Sequence, residues 1–83
     1  MTTEKLMQEA SKVLKDVGYE VYWEIRFHHE FARCIEVELN AKKTDLRDYQ
    51  FFKFRARNLE SAVMDCITDA ADTLKLASLL VLV

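Results

Sequence analysis

The chain has 83 residues, 51% of them hydrophobic and 11% aromatic, with a formal net charge of −2. That length allows a single domain, residues 1–83, which buries only about 60–65% of its unfolded surface. The hydrophobic content excludes a disordered chain. The near-neutral charge argues against a generic polyanion binder, though not against a local basic patch.

Leu6, Met7, Ala10, Val13, Leu14 and Val17 recur at helical spacing and predict a first helix over about Thr3–Val17. Thr2 or Thr3 caps its start. Gly18, the single glycine of the chain, stands where a helix end favours positive φ. From Tyr19 to Phe27 the period changes to two. Tyr19, Val21, Trp23, Ile25 and Phe27 alternate with Glu20, Tyr22, Glu24, Arg26 and His28. This is a strand with one buried and one wet face, and Trp23 is expected to lie buried between sheet and helices.

His28-His29-Glu30 reads as a turn. Its neighbouring side chains diverge and lack further ligands at metal-binding spacing, so no metal and no cofactor are expected. A second strand over about Arg33–Asn40 turns Ile35, Val37 and Leu39 inward. A charged loop covers Ala41–Asp48. A third strand over about Tyr49–Arg57 turns Phe52, Phe54 and Ala56 inward. Asn58 caps a last helix along which Leu59, Ala62, Val63, Cys66, Ile67, Ala70, Leu74, Ala77 and Val81 form the apolar stripe. The expected fold is α+β: a three-stranded antiparallel sheet with helices on one face, in the order α-β-β-β-α.

Pairing inward residues sets a register with Trp23 opposite Val37, Ile25 opposite Ile35, and Val37 opposite Phe52. Arg26 then faces Cys34, Glu24 faces Glu36, Glu36 lies beside Lys53, and Glu38 beside Phe51. The wet face becomes an acidic zone (Glu20, Glu24, Glu36, Glu38) against a basic strand (Lys53, Arg55, Arg57), with Tyr22, Tyr49 and Phe51 exposed. Exposed Tyr, Phe and Arg are residue types enriched in interfaces. The expected partner-binding set is therefore Tyr22, Glu24, Glu36, Tyr49, Phe51, Lys53, Arg55 and Arg57. Charge is also segregated along the chain: residues 41–57 carry a net +4 and residues 58–83 a net −3. Asp65, Asp69 and Asp72 share one helix face, an alternative site that imitates phosphates.

Catalysis is not expected. No Ser or Cys nucleophile has a His and acid partner set, and one glycine excludes a phosphate-cradling loop. Cys34 points outward and Cys66 inward, which places them on opposite sides of the sheet and predicts two free thiols. Free thiols, no basic apolar leader and an apolar tail far shorter than a membrane span of roughly 20 residues together predict a cytoplasmic protein without a membrane partner. In Leu76–Val83 only Ser78 is polar. A helix running on to Val83 overhangs the sheet, and Leu76, Leu79, Leu80 and Leu82 are expected to build a homodimer or hold a partner. The other reading breaks the helix near Lys75 and folds the tail back over the core.

The element order resembles the double-stranded-RNA-binding domain. That family opens its last helix with basic, glycine-rich sequence, whereas this chain has the acidic Asn58-Leu59-Glu60-Ser61-Ala62, so no binding residue carries over. The segment Phe54-Arg55-Ala56-Arg57-Asn58-Leu59-Glu60-Ser61-Ala62-Val63, a strand, a short polar cap and a helix opening, is similar to compact phage and prophage proteins. These include anti-CRISPR proteins with a helix packed on a three-stranded sheet. The resemblance implies a non-enzymatic protein-binding inhibitor that blocks a host nucleic-acid-handling complex. The alternatives are a direct nucleic-acid binder using Lys53, Arg55 and Arg57 with Tyr49 and Phe51 stacking on bases, or an oligomerising structural protein.

Overall fold

The computed structural model describes residues 1–28, 33–45 and 47–83. Three antiparallel strands form one open sheet in the order β1-β2-β3: β1 (Tyr19–His28), β2 (Cys34–Lys43) and β3 (Tyr49–Ala56). Three helices complete the α+β fold: α1 (Thr3–Asp16), α2 (Leu59–Leu74) and the short α3 (Ala77–Leu80). Of the turn expected at His28-His29-Glu30, His29 and Glu30 lie outside the described residues, as does Leu46 of the expected charged loop.

The local signals act as their chemistry requires. The Thr2 hydroxyl accepts from the Lys5 amide at 3.1 Å, satisfying an otherwise free donor at the start of α1. Gly18 takes φ +95° and donates its N–H to the Lys15 carbonyl. Its own carbonyl accepts from the Thr44 amide and hydroxyl, while Lys43 Nζ donates to the Val17 carbonyl at 2.9 Å. The end of α1 is thus tied to the end of β2. This accounts for a correction: Ala41, Lys42 and Lys43, expected in the loop, belong to β2. Ala41 is wholly buried, and Lys42 and Lys43 pair with Glu20 and Tyr19. Ten paired residues on β1 continue the ladder past the point where the Lys-Lys pair reads as loop.

α1 packs on β1, and α2 packs on β2 and β3. Both helices lie on one face, over a core that includes Leu6, Leu14, Val37, Leu39, Phe52, Val63 and Ile67. Cys66 belongs to this core. Its Sγ lies 3.3 Å from the carbonyl oxygens of Val37 and Phe52, and burial pushes its thiol up to about 12. Trp23 is half-buried rather than enclosed. Its indole N–H donates to the Ser11 hydroxyl of α1 at 2.8 Å, and its ring flanks the groove between α1 and β1.

The continuous last helix is corrected. Asn58 caps α2 through its side-chain oxygen, which accepts from the Ser61 amide at 2.8 Å. α2 then ends at Leu74, and Lys75 takes the left-handed conformation at φ 58°. The Leu76 N–H returns to the Ala71 carbonyl at 2.9 Å, closing a reversal of the kind glycine usually makes. Sixteen residues span about 24 Å and match an eight-residue strand of about 26 Å. Past that length a straight helix carries its leucines off the sheet. The break returns Leu79 to the core with no exposed surface, and Leu76 and Leu82 pack beside it. The alternative reading of the tail, a break near Lys75 and a fold back over the core, is the one the structure adopts.

Candidate interaction surface

Among the described residues no helix covers the second face of the sheet, and this face carries the sequence-derived partner-binding set apart from Arg57. Its register is two residues away from the expected one. Trp23 pairs with Leu39, Ile25 with Val37, Arg26 with Glu36 and Glu24 with Glu38. Across the other junction Val37 pairs with Phe54, Leu39 with Phe52, Glu36 with Arg55 and Glu38 with Lys53. A two-residue slip leaves every side chain on its expected face and changes every neighbour.

The outer face therefore consists of ordered rows. Glu20, Lys42 and Tyr49 form one row, and Tyr22, Asn40 and Phe51 the next. Glu24, Glu38 and Lys53 follow, then Arg26, Glu36 and Arg55. His28 and Cys34 close the series.

The two ends of this face differ in chemistry. At the charged end Glu36 is only 4% exposed, held between two guanidinium groups. Arg55 Nε donates to Oε1 at 2.9 Å and Arg26 Nη1 to Oε2 at 3.0 Å. Those bonds, Arg55's foremost, hold the Glu36 carboxyl below the usual carboxylate range against the opposing pull of burial. Arg26 also reaches Glu24 at 2.7 Å and Glu38 at 3.9 Å. Asn40 donates to Glu38 at 3.1 Å and Lys53 stands 3.4 Å from the same carboxylate; together they lower its pKa. His28 Nε2 lies 3.6 Å from Glu36.

At the other end three aromatic side chains stand clear of the sheet. Tyr22 is 62% exposed, Tyr49 57% and Phe51 61%. The Tyr49 and Phe51 rings are stacked, with centroids 6.0 Å apart and planes 10° from parallel. The Lys42 ammonium sits 5.4 Å from the centre of the Tyr49 ring. A shallow depression of about 430 Å³ opens over Asn40 between Tyr22 and Tyr49, with Glu20, Lys42 and Glu38 at its margin.

The structure thus brings together Tyr22, Glu24, Glu36, Tyr49, Phe51, Lys53 and Arg55. Arg57 lies past the end of β3, beside the groove at Phe27, His28 and Cys34, and makes no ion pair among the described residues. Of the acidic helix residues, Asp65 and Asp72 are exposed and Asp69 half-buried. Asp69 accepts from the Thr73 hydroxyl, and with Asp72 it lines a depression that Lys75 and Leu80 complete. Of the tail leucines only Leu80 is largely exposed, at 48%. Both cysteines are free, Cys34 half-buried opposite His28.

Arg26, assigned from the sequence to the wet face, and Asn40 stand outside the expected partner-binding set, although Arg26 is the hub of the charged end. The signal was present in the charges. Among registers that keep the faces intact, the one that sets Glu36 between two arginines and Glu38 beside Lys53 gains opposite-charge neighbours.

Among the described residues no group of three or more His, Cys, Asp or Glu could hold a metal ion, and no helix is long and apolar enough to cross a membrane. No family model, curated protein or solved structure matches the chain.

Proposed function

We propose that this protein is a non-enzymatic protein-binding module whose partner seats on the open sheet face around Tyr22, Asn40, Tyr49 and Phe51. One observation carries the reading. At the charged end of this face the charges are spent on each other, while at the other end Tyr22, Tyr49 and Phe51 stand more than half exposed. Lys53 and Arg55 approach Glu38 and Glu36 within ion-pair distance, so β3 does not offer the run of free cations that phosphate contacts need. Three exposed aromatic rings around a polar floor suit a protein surface, where Tyr and Phe serve as anchors and the surrounding charges set orientation.

The resemblance to phage and prophage inhibitors gives this function a form. The partner is a component of a host nucleic-acid-handling complex, blocked by occupation of its surface.

The test compares capture by the immobilised protein and by a Tyr22→Ala, Phe51→Ala variant from a lysate of the native host. The expected result is a protein retained by the first and lost by the second, with both folded. Equal capture by both moves the site off this face. Tight binding of bare oligonucleotide that falls steeply with salt replaces the reading with the nucleic-acid alternative.

A further inference from the structure

Among the described residues, β1 is an edge strand whose far half has no helix on its apolar side. α1 has 14 residues and spans about 21 Å, whereas the ten residues of β1 span about 33 Å. Because α1 is tied to the sheet at Gly18, it reaches back only over the near part of the strand. Tyr19, Val21 and Trp23 accordingly pack on the core, while Ile25 is 38% exposed and Phe27 65%. Among the described residues the same strand has no pairing partner on its second side. An unpaired edge beside bare apolar side chains is the arrangement that soluble proteins ordinarily protect with charge, proline or a covering element.

We propose that this edge is occupied by β1 of a second copy, antiparallel and related by a two-fold axis at Ile25. The argument is self-complementarity. About that axis Ile25 faces Ile25 of the second copy once, while Trp23 faces Phe27, Glu24 faces Arg26 and Tyr22 faces His28, each of these three pairs occurring twice. On the helix side, the uncovered Ile25 and Phe27 of each copy meet Trp23 and Ile25 of the other. On the outer side, two opposite-charge pairs form.

A neighbouring axis at Trp23 keeps the two faces aligned and pairs Glu20 with Arg26, but it sets the uncovered Ile25 and Phe27 opposite Val21 and Tyr19, which already pack on the core. The other neighbouring axes are worse. An axis at Glu24 sets Glu24 against itself, and one at Arg26 sets Arg26 against itself. An axis at Phe27 brings His28 against Arg26. Pairing out of step by one residue turns the apolar side of one copy to the wet side of the other. The opposite edge, β3, has no acidic residue from Tyr49 to Ala56, so it offers a second copy of itself no opposite-charge pair. The result is a six-stranded sheet whose outer face carries the aromatic cluster twice. This inference is independent of the partner proposed above, and it moves the expected dimer contact from the tail to β1.

Sedimentation equilibrium up to about 100 µM, by mass action the range in which a weak dimer shows, tests it. The wild-type chain is expected to associate to a dimer. Phe27→Lys should weaken the dimer at least tenfold, with circular dichroism and melting close to wild type because Phe27 is mostly exposed. Leu80→Asp should leave it intact. In a Cys34→Ser background, Ile25→Cys should form a disulfide-linked dimer under mild oxidation and Phe27→Cys should not. A chain monomeric throughout the range overturns the proposal. So does a dimer indifferent to Phe27→Lys, a dimer abolished by Leu80→Asp, or cross-linking through Phe27→Cys in preference to Ile25→Cys.

Discussion

The two ends of the open sheet face are built from the same three strands and exposed to the same solvent, yet one is chemically closed and the other open. At the charged end Glu36 meets two guanidinium groups within 3.0 Å and is nearly sealed from water. At the aromatic end Tyr22, Tyr49 and Phe51 have more than half of their surface exposed. Charged side chains read from a sequence suggest a binding site, but on this sheet they serve mainly to hold one another. The side chains that stand clear of that network are those at the aromatic end. Sheet cohesion and partner recognition are therefore separable by mutation, and each prediction below acts on one end while leaving the other as its control.

The largest expected effect is on recognition. Tyr22→Ala with Phe51→Ala should cost about 3 kcal/mol of partner affinity, roughly 100-fold, as the loss of two aromatic anchors does. The melting temperature should stay near wild type, since exposed positions contribute within about 0.5 kcal/mol. Calorimetric titration against the captured partner, paired with thermal melting, checks both halves of the claim. A variant that binds as well as wild type removes the functional distinction between the two ends.

Next is Glu36→Ala, which leaves Arg26 and Arg55 facing each other without their carboxylate. Its expected cost is about 1.5 kcal/mol of stability, discounted for the exposure of both arginines. That corresponds to a fall in melting temperature of roughly 6–12 °C for a domain of this size. Partner affinity should be retained. A large loss of affinity without loss of stability would make the charged end part of the binding site.

A pH titration gives a smaller effect of defined sign. Glu36 and Glu38 have folded pKa values lowered from the ordinary value of 4.5. Their contribution is therefore complete above that value. It is lost as pH falls through it toward the lowered folded values, because the unfolded chain takes up the protons first. Glu36→Gln with Glu38→Gln should be less stable than wild type near neutrality and should lose less stability on acidification. Urea denaturation at a series of pH values measures this, and parallel profiles for the two chains would contradict it.

The smallest expected effect belongs to Lys53→Ala. The Lys53 side chain is half exposed and 3.4 Å from Glu38, a geometry worth less than about 0.5 kcal/mol. Its melting curve should nearly overlay that of the wild type, which contrasts it with Glu36 in the adjacent row.

Local patterning carried most of the architecture of this protein. The alternation from Tyr19, the Thr2 and Asn58 caps and Gly18 at the end of α1 are read from residues close in sequence, and each has its physical cause within a few positions. Side chains on a strand alternate with period two, so the pattern assigns Arg26, Glu36 and Arg55 to the wet face without ambiguity. The same periodicity leaves all registers differing by two residues equivalent. Only the assembled sheet chose the one in which Glu36 lies between two arginines, and with it the division of the outer face into a closed and an open end. The tail shows the same limit. The sequence around Lys75 contains neither glycine nor proline to announce a stop. The left-handed turn there brings Leu79 back into the core against α1 and α2, a contact with segments distant in sequence that no local signal specifies.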